Sequence, residues 1–110
     1  MRWIMKIPND YITSIVNSIS EKIHPSEIYM FGSQASGNAS QDSDIDLCII
    51  YSGKSKRKRD LTREIRKSIS PILAMPMDIL VYYEDEFYEQ ANLAFTIEHD
   101  ILDKGVKLYG

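Results

Sequence analysis

The sequence predicts an α+β fold: a small mixed sheet of about three to four strands with helices packed on one face. Three observations lead there. Apolar residues recur at helical spacing in Ile12, Ile15, Val16, Ile19 and Ile23, and again in Leu61, Ile65 and Ile69. Short apolar runs of strand length lie at 27–31, 43–51 and 77–82. Turn-forming residues bound them, among them His24-Pro25-Ser26, Gly32-Ser33, Ser52-Gly53 and Met75-Pro76. Helix and strand patterns therefore alternate along one chain.

The bulk properties fit one domain over residues 1–110. At 44% hydrophobic and 26% charged, the composition is that of an ordinary globular protein, and 110 residues supply a core without disulfides. The longest apolar runs fall far below the roughly 20 residues that span a bilayer, and 1–6 lacks the apolar core of a signal peptide. No membrane association is expected. The single cysteine, Cys48, excludes an intrachain disulfide and fits a reducing cytoplasm. With a net charge of −3, the surface as a whole is not expected to attract nucleic acid as a direct partner.

The charge is nonetheless uneven. Eight lysines and arginines crowd the span from Lys54 to Lys67, and Glu84, Asp85, Glu86 and Glu89 crowd another. The basic span reads as a solvated loop and helix face, the commoner meaning of such runs, rather than as a phosphate or RNA patch. Cations oppose a helix N-terminus, so Lys56 to Arg59 are expected to precede the helix proper.

Taken in order, Pro8-Asn9-Asp10 signals the start of the first helix, with Asn9 or Asp10 as its cap, and His24-Pro25 ends it. His24 and His99 have no cluster of ligands around them and read as surface or capping residues. The first strand, 27–31, runs into Gly32-Ser33. Residues 34–38 could form one helical turn, and a polar loop leads to the second strand, with Ile45, Leu47 and Ile49 facing the core. The helix lined by Leu61, Ile65 and Ile69 ends at Ser70-Pro71, and the third strand carries Asp78, an odd residue for a central strand. An acidic helix over 84–92 turns Phe87 and Ala91 inward. Another, over 96–104, ends at Gly105 in a C′ position, and 106–109 adds a short edge strand.

Chemistry concentrates at the end of the first strand and the start of the second. After ten intervening residues, Ser33 is followed by Asp44-Ile45-Asp46. Alternate strand residues share a face, so both carboxylates point the same way, and they repel unless a proton or cation lies between them. Mg²⁺ suits such a pair, taking one or two carboxylates plus phosphate oxygens, with Mn²⁺ equally acceptable to the ligands. The Gly32-Ser33 turn offers backbone N–H groups to phosphate. Asp78 reads best as a third carboxylate converging on the same metal. Cys48 shares the parity of Asp44 and Asp46, but reads as a small buried hydrophobe rather than a ligand or nucleophile.

Phe31-Gly32-Ser33-Gln34-Ala35, Gly37, Ser43-Asp44-Ile45-Asp46-Leu47, Asp78 in an apolar strand and the ending Gly105-Val106-Lys107-Leu108-Tyr109 together resemble the nucleotidyltransferase superfamily typified by DNA polymerase β. More narrowly the chain looks like the minimal nucleotidyltransferase (MNT) domains. It departs at Ser36, where small members of the family usually carry arginine.

The resemblance implies the nucleotidyltransferase fold, two Mg²⁺ ions held by Asp44, Asp46 and Asp78, and ATP as the nucleotide, its phosphates bound by Gly32 and Ser33. It implies transfer of AMP to a hydroxyl. The acceptor is expected on another chain, because the core is too short to carry the helical domain with which larger relatives grip their substrates. Small MNT proteins are commonly paired with a helical HEPN toxin, so the expected role is an antitoxin that adenylylates a tyrosine of such a partner within a hetero-oligomer. Tyr83, Phe87, Tyr88 and Phe95 are expected to be divided between interface and core, with core the larger share. Two alternatives stay open: neutralisation by binding alone, which Ser36 favours, and transfer to a small molecule or RNA end, for which the basic span is the sole support.

Overall fold

The computed structural model describes residues 9–32 and 45–110. Its elements follow in the order α1 (Asn9–Ile23), β1 (Glu27–Phe31), β2 (Ile45–Tyr51), α2 (Lys58–Ile69), a 3₁₀ turn (Ser70–Ile72), β3 (Met77–Tyr83), α3 (Glu84–Ala91), α4 (Ile97–Lys104) and β4 (Val106–Tyr109). The described strands form one mixed sheet in the order β3-β2-β1-β4. The α+β class and the four strands are as expected from sequence. The residues 34–38 proposed as a helical turn lie outside the described residues.

Strand β2 is the centre of the fold. It pairs antiparallel with β1, placing Phe31 opposite Asp46 and Tyr29 opposite Cys48, and parallel with β3, placing Asp78 beside Asp46 and Leu80 beside Cys48. Side-chain alternation then sorts the strand residues into two layers. Ile28, Met30, Ile45, Leu47, Ile49 and Met77 pack against the apolar stripes of α1 and α2. Tyr29, Cys48 and Ile50 pack instead against Phe87 and Ala91 of α3 and Ile101 of α4.

Helices thus cover both faces, where the sequence pattern led to the expectation of one. The reason is Phe87, fully buried on the second face, with its ring 5.3 Å from that of Tyr82 and 5.2 Å from that of Tyr88 in edge contacts. The Tyr82 hydroxyl donates to Glu98 Oε2 at 2.7 Å, and the Tyr88 hydroxyl donates to Glu27, joining α3 and α4 to the sheet.

Several local readings are refined. His24 closes α1 with φ 51°, its N–H donating to Ser20 O at 3.0 Å, and Asp10 lies in the first turn of that helix. Thr96 caps α4 by accepting from the His99 N–H at 3.0 Å, and the His99 ring faces the Ala91 carbonyl, with Nδ1 2.9 Å from its oxygen. Strand β3 lies at one edge of the described sheet rather than at its centre, so Asp78 is exposed and carries no burial cost there.

Helix α2 begins at Lys58, placing Lys58 and Arg59 inside its first turn instead of before it. Carboxylates offset the dipole cost: Lys58 Nζ lies 2.9 Å from Glu86, and Asp60 receives Arg57 and Arg63. Gly105 caps α4 through its N–H on Ile101 O, yet with φ −72° rather than the left-handed geometry expected of a C′ glycine. Space is what requires it, because a Cβ there would run into the Ile101 carbonyl and sit 3.1 Å from Met30 O.

Gly105→Ala is therefore expected to destabilise the fold by about 1–3 kcal/mol through overpacking rather than backbone strain, read as a lowered urea midpoint at unchanged m-value.

Candidate functional site

The end of β1 and the start of β2 meet at Gly32 and Asp46. Gly32 has φ +81°, a conformation open to glycine at little cost. Its missing side chain matters as much, since a Cβ would collide with the Asp46 carboxylate at Oδ2. Glycine is thus needed twice here, for the turn and for the approach of an acid to bare backbone.

Asp46 is half-buried, on the face opposite α1 and α2. Asp78 stands beside it in register on the neighbouring parallel strand, so both side chains project from one face of strands roughly 4.8 Å apart. The pairing is anchored at its end: Ile45 N donates to Pro76 O at 3.2 Å, and Arg66 Nη1 reaches Met77 O at 3.4 Å. The sequence places Arg66 only within the basic span.

Asp44 and Ser33, the other predicted site residues, lie outside the described residues. Among the described residues, no group of three or more His, Cys, Asp or Glu is arranged to hold a metal ion. Asp46 and Asp78 are two hard oxygen donors side by side, a set that suits Mg²⁺ better than a softer metal.

Cys48 lies two residues along β2 on the same face. It is fully buried, and desolvation, helped by the nearby Glu98 and Glu27, pushes its thiol up from 9.0 to about 12. A nucleophile or ligand needs the thiolate, so Cys48 is a core residue, as its sequence setting implied. Tyr82 and Tyr88 are shifted upward too, by burial first and then by their hydrogen bonds to Glu98 and Glu27.

Two lysines of the basic span turn to the acidic one, and a third turns to Glu64 of α2. Lys54 pairs with Asp85 at 3.0 Å, Lys56 with Glu64 at 3.4 Å and Lys58 with Glu86 at 2.9 Å. Lys58 also lies 5.4 Å from the centre of the Tyr83 ring. These are exposed pairs worth about 0–1 kcal/mol each, but they occupy cations that a nucleic-acid patch would leave to phosphate. Of the aromatics considered for an interface, Phe87 is core, Tyr83 and Tyr88 are half-buried, and Phe95 is wholly exposed.

The nucleotidyltransferase domain family model matches residues 12–108. This chain belongs to the nucleotidyltransferase domain family. Among solved structures, the domain is similar to a toxin–antitoxin with AMP-PNP at 19% identity, covering 89% of this chain and 72% of that one, with a TM-score of 0.56. It is also similar to a "putative nucleotidyltransferase from Sulfolobus solfataricus" at 20% identity, covering 94% and 89%, with a TM-score of 0.47. At 19% identity the likeness to the toxin–antitoxin structure is one of fold. No curated protein matches the chain. Among the described residues, no helix is long and apolar enough to cross a membrane.

The raised thiol of this nucleotidyltransferase domain makes a pH prediction. A thiol whose folded pKa exceeds its unfolded value stabilises the fold fully below about pH 9, and that contribution is lost as pH rises towards 12. Stability to urea should fall progressively above pH 9, and Cys48→Ala should flatten the fall; an equal slope in the variant would assign the loss to other groups such as Tyr82 and Tyr88.

Proposed function

We propose that this chain is a Mg²⁺-dependent nucleotidyltransferase that moves AMP from ATP to a hydroxyl, the acceptor being a tyrosine of a helical HEPN-type toxin, and that it serves as the antitoxin of that pair in a hetero-oligomer. The observation that carries the reading is the placement of Asp46 and Asp78 in register, on one face, with Gly32 bare against the Asp46 carboxylate. The family match gives that placement its reaction class.

In this reading Asp44, Asp46 and Asp78 hold the metal, which when bound neutralises charge on the triphosphate. Gly32 and Ser33 offer backbone N–H groups, and Ser33 its hydroxyl, to the β- and γ-phosphates. Asp78, the exposed member on the edge strand, orients the incoming hydroxyl and takes its proton. The hydroxyl oxygen bonds to the α-phosphorus as the bond to the β-phosphate oxygen breaks, releasing pyrophosphate. The protein's contribution is positioning and fixed charge.

A second reading, neutralisation by contact alone, draws on Ser36 and on the exposed Leu93, Phe95 and Ile97. Transfer to an RNA end is weakened by the pairing of Lys54, Lys56 and Lys58 with carboxylates.

The test is the mass of the co-expressed helical partner after incubation with the chain, ATP and Mg²⁺. A gain of one or more AMP units is expected. Asp46→Ala should reduce it by more than about 100-fold, beyond the effect of losing a residue that merely supports a metal ligand. A stable complex without mass gain would select the contact-only antitoxin, and neither complex nor gain would remove both protein-directed readings. Removing the divalent ion with EDTA should stop transfer, with Mg²⁺ or Mn²⁺ restoring it; transfer persisting in EDTA would refute the carboxylates' role as metal ligands.

A further inference from the structure

The connection between α3 and α4 is a rigid mount for side chains that face solvent. Leu93 N–H donates to Gln90 O at 3.0 Å. The Thr96 hydroxyl lies 3.0 and 2.9 Å from the carbonyls of Gln90 and Leu93 while accepting from the His99 N–H. On this mount Leu93 and Ile97 are about half exposed and Phe95 is wholly exposed. Phe95 also has φ +69°, the left-handed region in which a bulky side chain is strained. The loop therefore exposes an aromatic ring on a strained backbone, and burial within the described chain offsets neither cost. Three apolar side chains within five residues, so held, form a patch set for a contact outside the chain.

Charge states what that contact carries. Residues 84–104 hold seven acids and one base, Lys104. Glu89 precedes Leu93 by four residues near the end of α3, and Asp100 follows Ile97 by one turn of α4. Both are exposed, and among the described residues neither is ion-paired, whereas Lys58 is taken by Glu86. Acids flanking the patch repel nucleic acid and anionic lipid. A twofold dimer through the patch would set Glu89 and Asp100 of one copy against those of the other. What fits is a protein face with an apolar socket rimmed by bases.

The patch also reaches the candidate site. Ile97 borders a slot of about 260 Å³ between the end of β1 and α4, and Gly32, bare against the Asp46 carboxylate, borders it from the sheet. A protein seated on the patch lies beside the carboxylate pair.

We propose that Leu93, Phe95 and Ile97 are the docking surface for the acceptor-bearing protein, whose contact face takes the Phe95 ring into an apolar socket and meets Glu89 and Asp100 with lysines and arginines. This rests on the protein-directed reading above and adds to it where the partner sits and what its face carries.

Calorimetric titration with the separately purified helical partner tests it, beside titration with ATP in Mg²⁺. The wild type should bind the partner more weakly as salt rises. Phe95→Gly removes the ring and the strain together. It should raise the urea midpoint of the free chain, leave ATP affinity unchanged and weaken the partner at least about tenfold, as truncation of an aromatic anchor does. Glu89→Lys combined with Asp100→Lys, both at exposed positions, should weaken the partner and flatten the salt dependence.

Unchanged partner affinity in both variants, with AMP transfer intact, would overturn the docking surface and leave the proposed function standing. Unchanged partner affinity in Phe95→Gly, with a self-association of the wild type lost in sedimentation, would overturn it too, by giving the patch to a second copy. Failure of the wild type either to bind or to modify the partner would overturn both the surface and the reading on which it rests.

Discussion

The register of β2 against its two neighbours is the constraint on which the rest of the molecule depends. Ile45, Leu47 and Ile49 close the core with α1 and α2, while Cys48 and Ile50 close the second layer with α3 and α4. The strand is buried on both faces along most of its length, and Asp46, near its start, is where burial relaxes. A slip of one residue would turn Asp46 into the core and Leu47 out of it. The same hydrophobic demand that fixes the sheet therefore fixes the carboxylate pair. Stability and site are set by one pairing.

That pairing also decides where backbone comes close to charge. Against β1, Asp46 meets the end of the strand, where Gly32 leaves room for a carboxylate oxygen that a Cβ would force to shift. Against β3, it meets Asp78 at an exposed edge. Asp46 is half-buried and Asp78 exposed, so the pairing sets one acid beside the core and one at solvent. Lys54 and Lys58 beside α2 are matched to Asp85 and Glu86, and Glu27 and Glu98 accept from tyrosine hydroxyls.

The second helical layer gives this small sheet a wall beside the acids. α3 and α4 are held by the Phe87 cluster and by capping at Thr96, and α4 ends where Gly105 passes close to Met30. The slot at Gly32 follows from this placement, because α4 must approach β1 before the chain can return as β4. Its apolar and acidic lining is contributed by residues 66 or more positions apart from β1 in sequence, joined only by the fold.

The sequence by itself determined the elements and much of the chemistry. The helical stripes from Ile12 to Ile23 and from Leu61 to Ile69 and the strand at 27–31 are local patterns, since periodicity and turn residues act within a few positions. Asp44, Asp46 and Asp78 were legible as candidates because carboxylates in apolar strands conflict with burial. Only the tertiary structure decided that β3 lies at an edge of the described sheet, that α3 and α4 cover its second face, and that Lys54 and Lys58 meet the acidic run. It also decided that Gly105 is required by space rather than by φ, and that Ile97 and Asp100 border the same cavity as Gly32. Each of these depends on which distant segments meet, and contacts between distant segments leave no periodicity to read.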